Sequence, residues 1–165
     1  MHLTRLYLTM SNDDHWNDKI LLLGVTGGVA AYKAADLASR WTQRGAKVRV
    51  RMTPSACRFV QPLTFEAVTR QPVTTEIWQP LGTGERPEHI GSGDDADLFV
   101  IAPASADHLA RLAQGFGDDA VCLTALAWEG PLVICPAMND RMWRNPAVQA
   151  NVQLLRDRGA TVVDP

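Results

Sequence analysis

The 165-residue sequence has little cysteine, and its few cysteines do not form a recognisable motif. Only Cys57, Cys122 and Cys135 occur, and no two of them have CxxC spacing. An odd number of cysteines without that spacing argues against a disulfide framework and against a zinc site, and it favours a reducing compartment. We therefore predict that the protein holds no metal and that its location is cytoplasmic. Cys135 ends an apolar run and is expected to be a core residue.

A strong excess of charge and a long apolar run are also missing. The formal net charge is −2 and no basic cluster occurs, so the sequence predicts no nucleic-acid partner and no anionic membrane surface as partner. No run reaches the roughly 18 apolar residues that a membrane span needs. The first residues lack the uninterrupted apolar core of a signal peptide, and residues 1–18 are predicted to be a flexible tail.

What the sequence does contain is an alternation of apolar runs with helical patterns. Strands that are apolar on both faces and separated by helices form a parallel sheet covered on both sides. The predicted fold is therefore a single α/β domain over residues 19–165, a three-layer doubly wound parallel sheet of the Rossmann or flavodoxin type. Strands are predicted at 19–25, 47–52, 97–102, 132–135 and 160–163, and helices at 29–44, 62–70, 105–114, 118–127 and 146–158.

A glycine-rich turn, Thr26-Gly27-Gly28, follows the first predicted strand. Backbone N–H groups of such a turn at a helix N-terminus bind phosphate. A dinucleotide site would read GxGxxG, with an acidic residue ending the second strand. Here that strand ends in Thr53-Pro54-Ser55, a turn that also caps the next short helix, and hydroxyls suit a terminal phosphate. The pattern favours a mononucleotide such as FMN over NAD, although close helix–strand packing is an alternative reason for the glycines.

The third and fourth predicted strands also end in polar residues. Ser105 is expected to N-cap the next helix while its backbone faces the crevice at the carboxyl ends of the strands, where ligands of open α/β sheets bind. Asn139 adds amide donors to the same crevice without adding charge. His108 lies at the start of a helix, and we expect it to face solvent or the phosphate side.

Three segments occur in a specific order: TGGVAAYK (26–33), APASADHLARLAQGFGDD (102–119) and PAMNDRMW (136–143). Together they resemble the FMN-dependent cysteine decarboxylases. That family includes the phosphopantothenoylcysteine decarboxylases of coenzyme A synthesis and the peptidyl-cysteine decarboxylases of lantibiotic maturation. The resemblance runs from about residue 19 to residue 165, and the coenzyme A branch is the most similar.

The resemblance implies FMN as cofactor and a homo-oligomer, a trimer or a dodecamer, with the flavin at a subunit contact. The family's active-site histidine falls on His89, which would act as acid and base at a neighbour's flavin. The essential asparagine falls on Asn139, which would hold the substrate carboxylate, and the motif methionine falls on Met142, also at the substrate. The residues implied to contact FMN are Gly27, Gly28, Val29, Thr53, Ser55, Ser105, Ala106, Asp107 and Ala137.

The implied reaction is oxidation of a cysteine thiol to a thioaldehyde, which accepts the electrons that loss of CO2 leaves behind. Phosphopantothenoylcysteine is the expected small-molecule substrate. A peptide with a C-terminal cysteine, a non-catalytic FMN-binding or regulatory role, and flavodoxin-type electron transfer are the alternatives. In the family a cysteine-bearing flap follows the point that corresponds to Pro165, so the substrate flap is expected to be absent. A fragment of a longer product and a naturally short flavoprotein both fit that expectation.

Overall fold

The computed structural model of the chain describes residues 16–77 and 95–165. In these residues, apolar runs form six strands: β1 (Ile20–Val25), β2 (Lys47–Met52), β3 (Val73–Thr74), β4 (Leu98–Ala104), β5 (Leu132–Pro136) and β6 (Thr161–Val162). All strand pairs are parallel, and the sheet has the order β3-β2-β1-β4-β5-β6. The predicted doubly wound parallel sheet is confirmed.

Helices connect the strands, and each predicted helix between residues 29 and 158 is present with slightly shifted ends. They are α1 (Ala31–Gln43), α2 (Pro62–Thr69), α3 (Ala106–Gln114), α4 (Ala120–Leu126), α5 (Asp140–Trp143) and α6 (Pro146–Asp157). A short 3-10 turn, Ala56–Arg58, follows β2. Strand β3 and helix α5 were not predicted, because two or four residues are too few to show a hydrophobic period.

Two residues that the sequence marks as helix ends, Gly45 and Pro62, stand at helix ends in the structure. Helix α1 ends at Gln43, and Gly45 follows with a φ of +91°, a conformation that favours glycine. Pro62 occupies the first turn of α2, where its missing N–H has no cost. Ahead of β1, the ring of Trp16 stacks on that of Trp41 with centroids 6.5 Å apart.

The central strands are buried on both faces. In β1, Leu22 and Leu23 are both fully buried although their side chains point to opposite sides of the sheet. Leu23 packs into the cluster under α1 and α2 with Trp41 and Phe65, and Leu22 packs into the cluster under α3 and α6 with Phe99. This three-layer arrangement explains why the strands read as continuous apolar runs.

The strand order reverses direction between β1 and β4. The chain passes outward from β1 to β2 and β3 on one side, and from β4 to β5 and β6 on the other. A crevice forms outside the carboxyl ends of the strands at such a switch point, and ligands of doubly wound sheets bind there. In the two described stretches, no helix has the length and apolar character needed to cross a membrane.

Candidate functional site

A groove of about 720 Å³ lies at the carboxyl ends of β1, β4 and β5. This volume is in the range of sites for small molecules and cofactors. The groove brings together residues that are far apart in the sequence, from the segments after β1, β4 and β5, from Phe59 and from residues 163–165. The predicted site residues that line it are Gly27, Gly28, Val29, Ser105, Ala106, Ala137, Asn139 and Met142.

Thr26 holds the loop after β1 against the segment that ends β4 and begins α3. Its fully buried hydroxyl donates to the carbonyl oxygen of Pro103 at 2.7 Å and accepts from the backbone N–H of Ser105 at 2.9 Å. Pro103 lies near the end of β4 and Ser105 follows that strand. This one side chain therefore joins the end of β1 to the end of β4 at the switch point. Sequence reasoning did not assign Thr26 a role, although it begins the TGGVAAYK segment.

At Gly27 the loop after β1 contacts the loop after β2. A Cβ atom built on Gly27 would lie 2.5 Å from Cβ of Ser55, which is too close for any side chain. A Cβ on Gly28 would meet nothing within 4 Å. The packing explanation therefore accounts for Gly27, whereas the open space beside Gly28 leaves its backbone accessible from the groove.

The loop after β2 carries two hydroxyl groups, one buried and one exposed. Thr53 is buried, and its hydroxyl accepts a hydrogen bond from the backbone N–H of Ala56 at 3.1 Å, so Thr53 stabilises the 3-10 turn. The predicted turn therefore bonds to the start of the short helix through Thr53. Ser55 occupies the N-cap position, is exposed and makes no side-chain capping hydrogen bond. Neither residue is part of the groove wall, but Ser55 lies against Gly27, at its edge.

The N-terminus of α1 faces the groove without a side-chain cap. Ala30 occupies the N-cap position and has no side-chain acceptor; in the first turn, the N–H of Ala31 donates to the Gly28 carbonyl oxygen at 2.9 Å and that of Lys33 to the Ala30 carbonyl oxygen at 3.0 Å. Lys33 and Tyr32, one turn later, line the same groove and were not predicted as site residues. An uncapped helix N-terminus beside a lysine favours an anionic ligand such as phosphate.

Ser105 caps α3, as predicted. Its hydroxyl accepts a hydrogen bond from the backbone N–H of His108 at 3.2 Å while the residue lines the groove. Asp107 lies outside the groove wall, and its exposed carboxylate pairs with Arg111 at 2.8 Å. The prediction that His108 faces solvent or phosphate is wrong: its ring is buried against α4, and burial lowers its pKa.

Asn139 caps α5 and lines the groove. Its side-chain oxygen accepts a hydrogen bond from the backbone N–H of Arg141 at 2.9 Å. That bond fixes which end of the amide is engaged with the helix, and the NH2 group remains as donor for a ligand. The backbone N–H of Ala137 donates to Ala104 at 3.0 Å, which joins the end of β5 to the end of β4.

The wall beside Asn139 is apolar. Met142 is 48% exposed and lies in the groove wall with Met138. Cys135 belongs to the core, as predicted, and also borders the groove, where burial raises its pKa to about 11. Its thiol is therefore protonated and unreactive at neutral pH. His89 lies outside the described residues, so its place relative to this wall stays a prediction.

These features define a class of protein, a nucleotide-binding α/β protein whose site lies at the topological switch point. The model of the family described as Flavoprotein matches residues 9–165. This chain belongs to the Flavoprotein family.

Individual relatives carry names related to coenzyme A synthesis. The chain is 44% identical over 147 residues to the coenzyme A biosynthesis bifunctional protein CoaBC of Vibrio vulnificus (strain YJ016), with 89% of this chain and 36% of the relative covered. It is 44% identical over 149 residues to CoaBC of Bacillus subtilis (strain 168), with 90% of this chain and 36% of the relative covered. The chain thus spans just over a third of the length of these relatives.

Solved structures with the same fold include FMN-dependent enzymes. The FMN-dependent cysteine decarboxylase SpaF superposes with a TM-score of 0.83 at 38% identity, covering 91% of this chain and 86% of that one. A PPC decarboxylase variant in complex with pantothenoylaminoethenethiol superposes with a TM-score of 0.75 at 32% identity, covering 88% and 81%. The predicted family resemblance is confirmed by these matches.

Proposed function

We propose that this chain binds FMN and catalyses the oxidative decarboxylation of a cysteine carboxylate, with phosphopantothenoylcysteine as substrate, in coenzyme A synthesis. The observation that carries the proposal is the convergence of the glycine turn, Ser105 and Asn139 on one groove. Identity of 44% to two coenzyme A biosynthesis proteins supports the choice of substrate.

The residues of the groove fit the phosphate and ribityl part of FMN. The backbone of Gly28 is accessible, the N-terminus of α1 has no side-chain cap, and Lys33 supplies a positive charge. Ser55 offers an exposed hydroxyl at the same end. A terminal phosphate needs several donors at once. These groups provide them from the loop after β1, the first turn of α1 and the loop after β2.

The other end of the groove fits a substrate with a carboxylate. The Asn139 amide donates to the carboxylate and holds it while the apolar wall of Met138 and Met142 limits access of water. Bound FMN supplies the electron acceptor for oxidation of the substrate thiol to the thioaldehyde. Asn139 holds the carboxylate in position while the thioaldehyde accepts the electrons of the breaking carbon–carbon bond, so that CO2 leaves without a localised carbanion. His89 is proposed as the acid and base for the thiol.

Single-turnover absorbance tests the proposal directly. FMN-loaded protein is mixed with phosphopantothenoylcysteine without oxygen, and the product mass is then read. We expect the flavin absorbance to bleach and the substrate to lose the mass of CO2 together with that of the two hydrogen atoms that reduce the flavin. Protein that binds FMN but shows neither change with this substrate contradicts the proposed reaction, and protein that binds no FMN contradicts the proposal as a whole.

A second substrate class has one observation in its favour. SpaF, an FMN-dependent cysteine decarboxylase, superposes better than the PPC decarboxylase variant, with TM-scores of 0.83 and 0.75. A peptide ending in cysteine is therefore the alternative substrate. Competition between such a peptide and phosphopantothenoylcysteine in the same single-turnover assay separates the two, because the product mass shows which substrate has lost its carboxylate.

We further propose that the protein acts as a cytoplasmic homo-oligomer, a trimer or a dodecamer, in which His89 of one subunit serves the groove of the next. Exposed apolar side chains at the groove support a subunit contact there, with Val29 76%, Tyr32 61% and Phe59 54% exposed. Three free cysteines agree with a reducing compartment. Light scattering after size-exclusion chromatography gives the number of subunits, and a monomer at micromolar concentration contradicts this assembly.

A further inference from the structure

A second group of reactive side chains lies away from the groove, between α3 and α4. It consists of His108 on α3, Asp119 at the N-cap of α4 and Cys122 in the first turn of α4. His108 and Cys122 are buried, and the Asp119 side chain is only 12% exposed. The proposed reaction uses none of these three side chains.

The distances in this cluster are close to those of neighbouring ligands on one metal ion. Nε2 of His108 lies 3.3 Å from Sγ of Cys122 and 3.7 Å from Oδ1 of Asp119, and the three ligand atoms lie within 4.8 Å of one another. Tetrahedral zinc with bonds of about 2.0 Å to nitrogen and oxygen and about 2.3 Å to sulfur places its ligand atoms roughly 3.3–3.6 Å apart. Small side-chain movements would therefore complete the geometry.

The chemistry of the three groups also matches one ion. Binding of the ion displaces the proton of the buried Cys122 thiol to solvent. The resulting thiolate, a carboxylate and a neutral imidazole balance the two charges of Zn²⁺, so the loaded cluster would be electrically neutral in a largely buried place. Oδ1 of Asp119 accepts the backbone N–H groups of Val121 and Cys122, both at 2.9 Å, and this capping orients the carboxylate.

A second groove lies beside the cluster, on the side of the sheet that carries α3 and α6. It has a volume of about 310 Å³ and is lined by Cys122 together with Phe116, Leu126 and Trp128. Cys122 is the ligand residue that borders this groove, so an ion that approaches along it meets the thiol first. A water molecule can take the fourth coordination position.

We propose that His108, Asp119 and Cys122 form a structural site for a borderline-soft divalent cation, with Zn²⁺ as the ion of choice. The ion links the first turn of α3 to the first turn of α4. Because Ser105, the N-cap of α3, lines the FMN groove and bonds to the backbone of His108, the ion stiffens the wall of that groove from behind. This inference does not depend on the proposed decarboxylation.

The sequence predicts no metal, because no two cysteines have CxxC spacing. The structure assembles ligands with a spacing of ten residues between His108 and Asp119 and two between Asp119 and Cys122. That pattern matches no common zinc motif. Only the packing of α3 against α4 brings the imidazole to the thiol.

Cobalt substitution tests the site in the FMN-loaded, untagged full chain. Co²⁺ is titrated, and spectra are read as differences from the same protein without cobalt so that the flavin bands cancel. We expect one cobalt ion per chain, a thiolate-to-cobalt charge-transfer band in the near ultraviolet, and loss of both signals when Zn²⁺ is added. Zn²⁺ should also raise the unfolding temperature of the wild type.

Matched variants identify the ligands. Cys122→Ser and His108→Gln should lose the charge-transfer band and the stabilisation by Zn²⁺, whereas Cys57→Ser, which changes a cysteine outside the cluster, should keep both. Circular dichroism and FMN binding check that each variant is folded. A folded wild type without the cobalt band overturns the proposal, as does a band that persists in Cys122→Ser or disappears in Cys57→Ser. Such results would leave only a His108–Cys122 hydrogen bond.

Discussion

Thr26 and Pro103 are joined by two hydrogen bonds to one oxygen atom. The carbonyl oxygen of Pro103 accepts from the Thr26 hydroxyl at 2.7 Å and from the Thr26 backbone N–H at 3.2 Å. The hydroxyl also accepts from the Ser105 N–H, so it has both a donor and an acceptor partner. Two loops of the groove are therefore held in register by the side chain of a residue that follows β1 directly.

Replacing Thr26 by Val should loosen the groove while keeping the shape of the side chain. The change leaves the partly buried Ser105 N–H without its acceptor, a loss that costs about 1–3 kcal/mol when the group is buried, whereas the Pro103 oxygen loses one donor but keeps the Thr26 N–H. We expect a lower urea midpoint and weaker FMN binding, both measured by fluorescence. Thr26→Ser keeps the hydroxyl and should retain most of both. Equal effects of the two variants would show that the methyl group, not the hydroxyl, is what matters.

Gly27 and Gly28 should respond differently to the same added methyl group. Gly27→Ala places a Cβ 2.5 Å from Ser55, so the loops must separate, and we expect losses in both stability and FMN affinity. Gly28→Ala meets nothing within 4 Å and should leave the unfolding midpoint of the FMN-free protein unchanged. If FMN binds against the Gly28 backbone, Gly28→Ala weakens FMN binding alone. An unfolding midpoint that falls as much in Gly28→Ala as in Gly27→Ala would contradict this reading.

Asn139 combines a structural bond with a proposed binding role, and two substitutions separate them. Asn139→Asp keeps an oxygen that can cap α5, but it replaces the amide donors by a negative charge that repels a substrate carboxylate. We expect normal stability and FMN binding with loss of turnover. Asn139→Ala should in addition lose the cap, worth about 1 kcal/mol. Full turnover by a folded, FMN-loaded Asn139→Asp protein would exclude the proposed role.

Stability at acidic pH should depend on Asp97. Hydrogen bonds from Lys19 Nζ at 2.6 Å and from the Ile20 N–H at 2.8 Å lower the pKa of its carboxyl below the usual value. Stability from these bonds is present above the ordinary aspartate pKa of about 3.9 and is lost as the pH falls through the lowered value. Urea midpoints should show Asp97→Asn less stable than wild type at about pH 7, and the difference should vanish near pH 2.

Asp36→Asn is the matched control for this pH dependence. Asp36 pairs with Arg40 one turn away on the exposed face of α1, where such a pair contributes little. Its removal should change the midpoint only slightly at either pH. A loss as large as that of Asp97→Asn would mean that overall charge, and not the bonds at the start of β1, sets the acid stability.

The sequence predicted most of the fold because its signals are local and strong. Continuous apolar runs such as β1 and β4, and helix ends such as Gly45 and Pro62, depend on a few neighbouring residues. The very short strand β3 escaped prediction, because its two residues are defined by pairing with β2 and not by any pattern of their own.

The amino-acid sequence alone therefore determined the alternation of strands and helices, the glycine turn, and the order of motifs that marks the family. Tertiary structure decided which side chains meet. It brought Thr26 to Pro103 and Gly27 to Ser55, and it turned His108 away from the groove towards Cys122. Backbone periodicity reaches over one or two helical turns, whereas these contacts join residues 14 to 77 positions apart and exist only after the helices pack on the sheet.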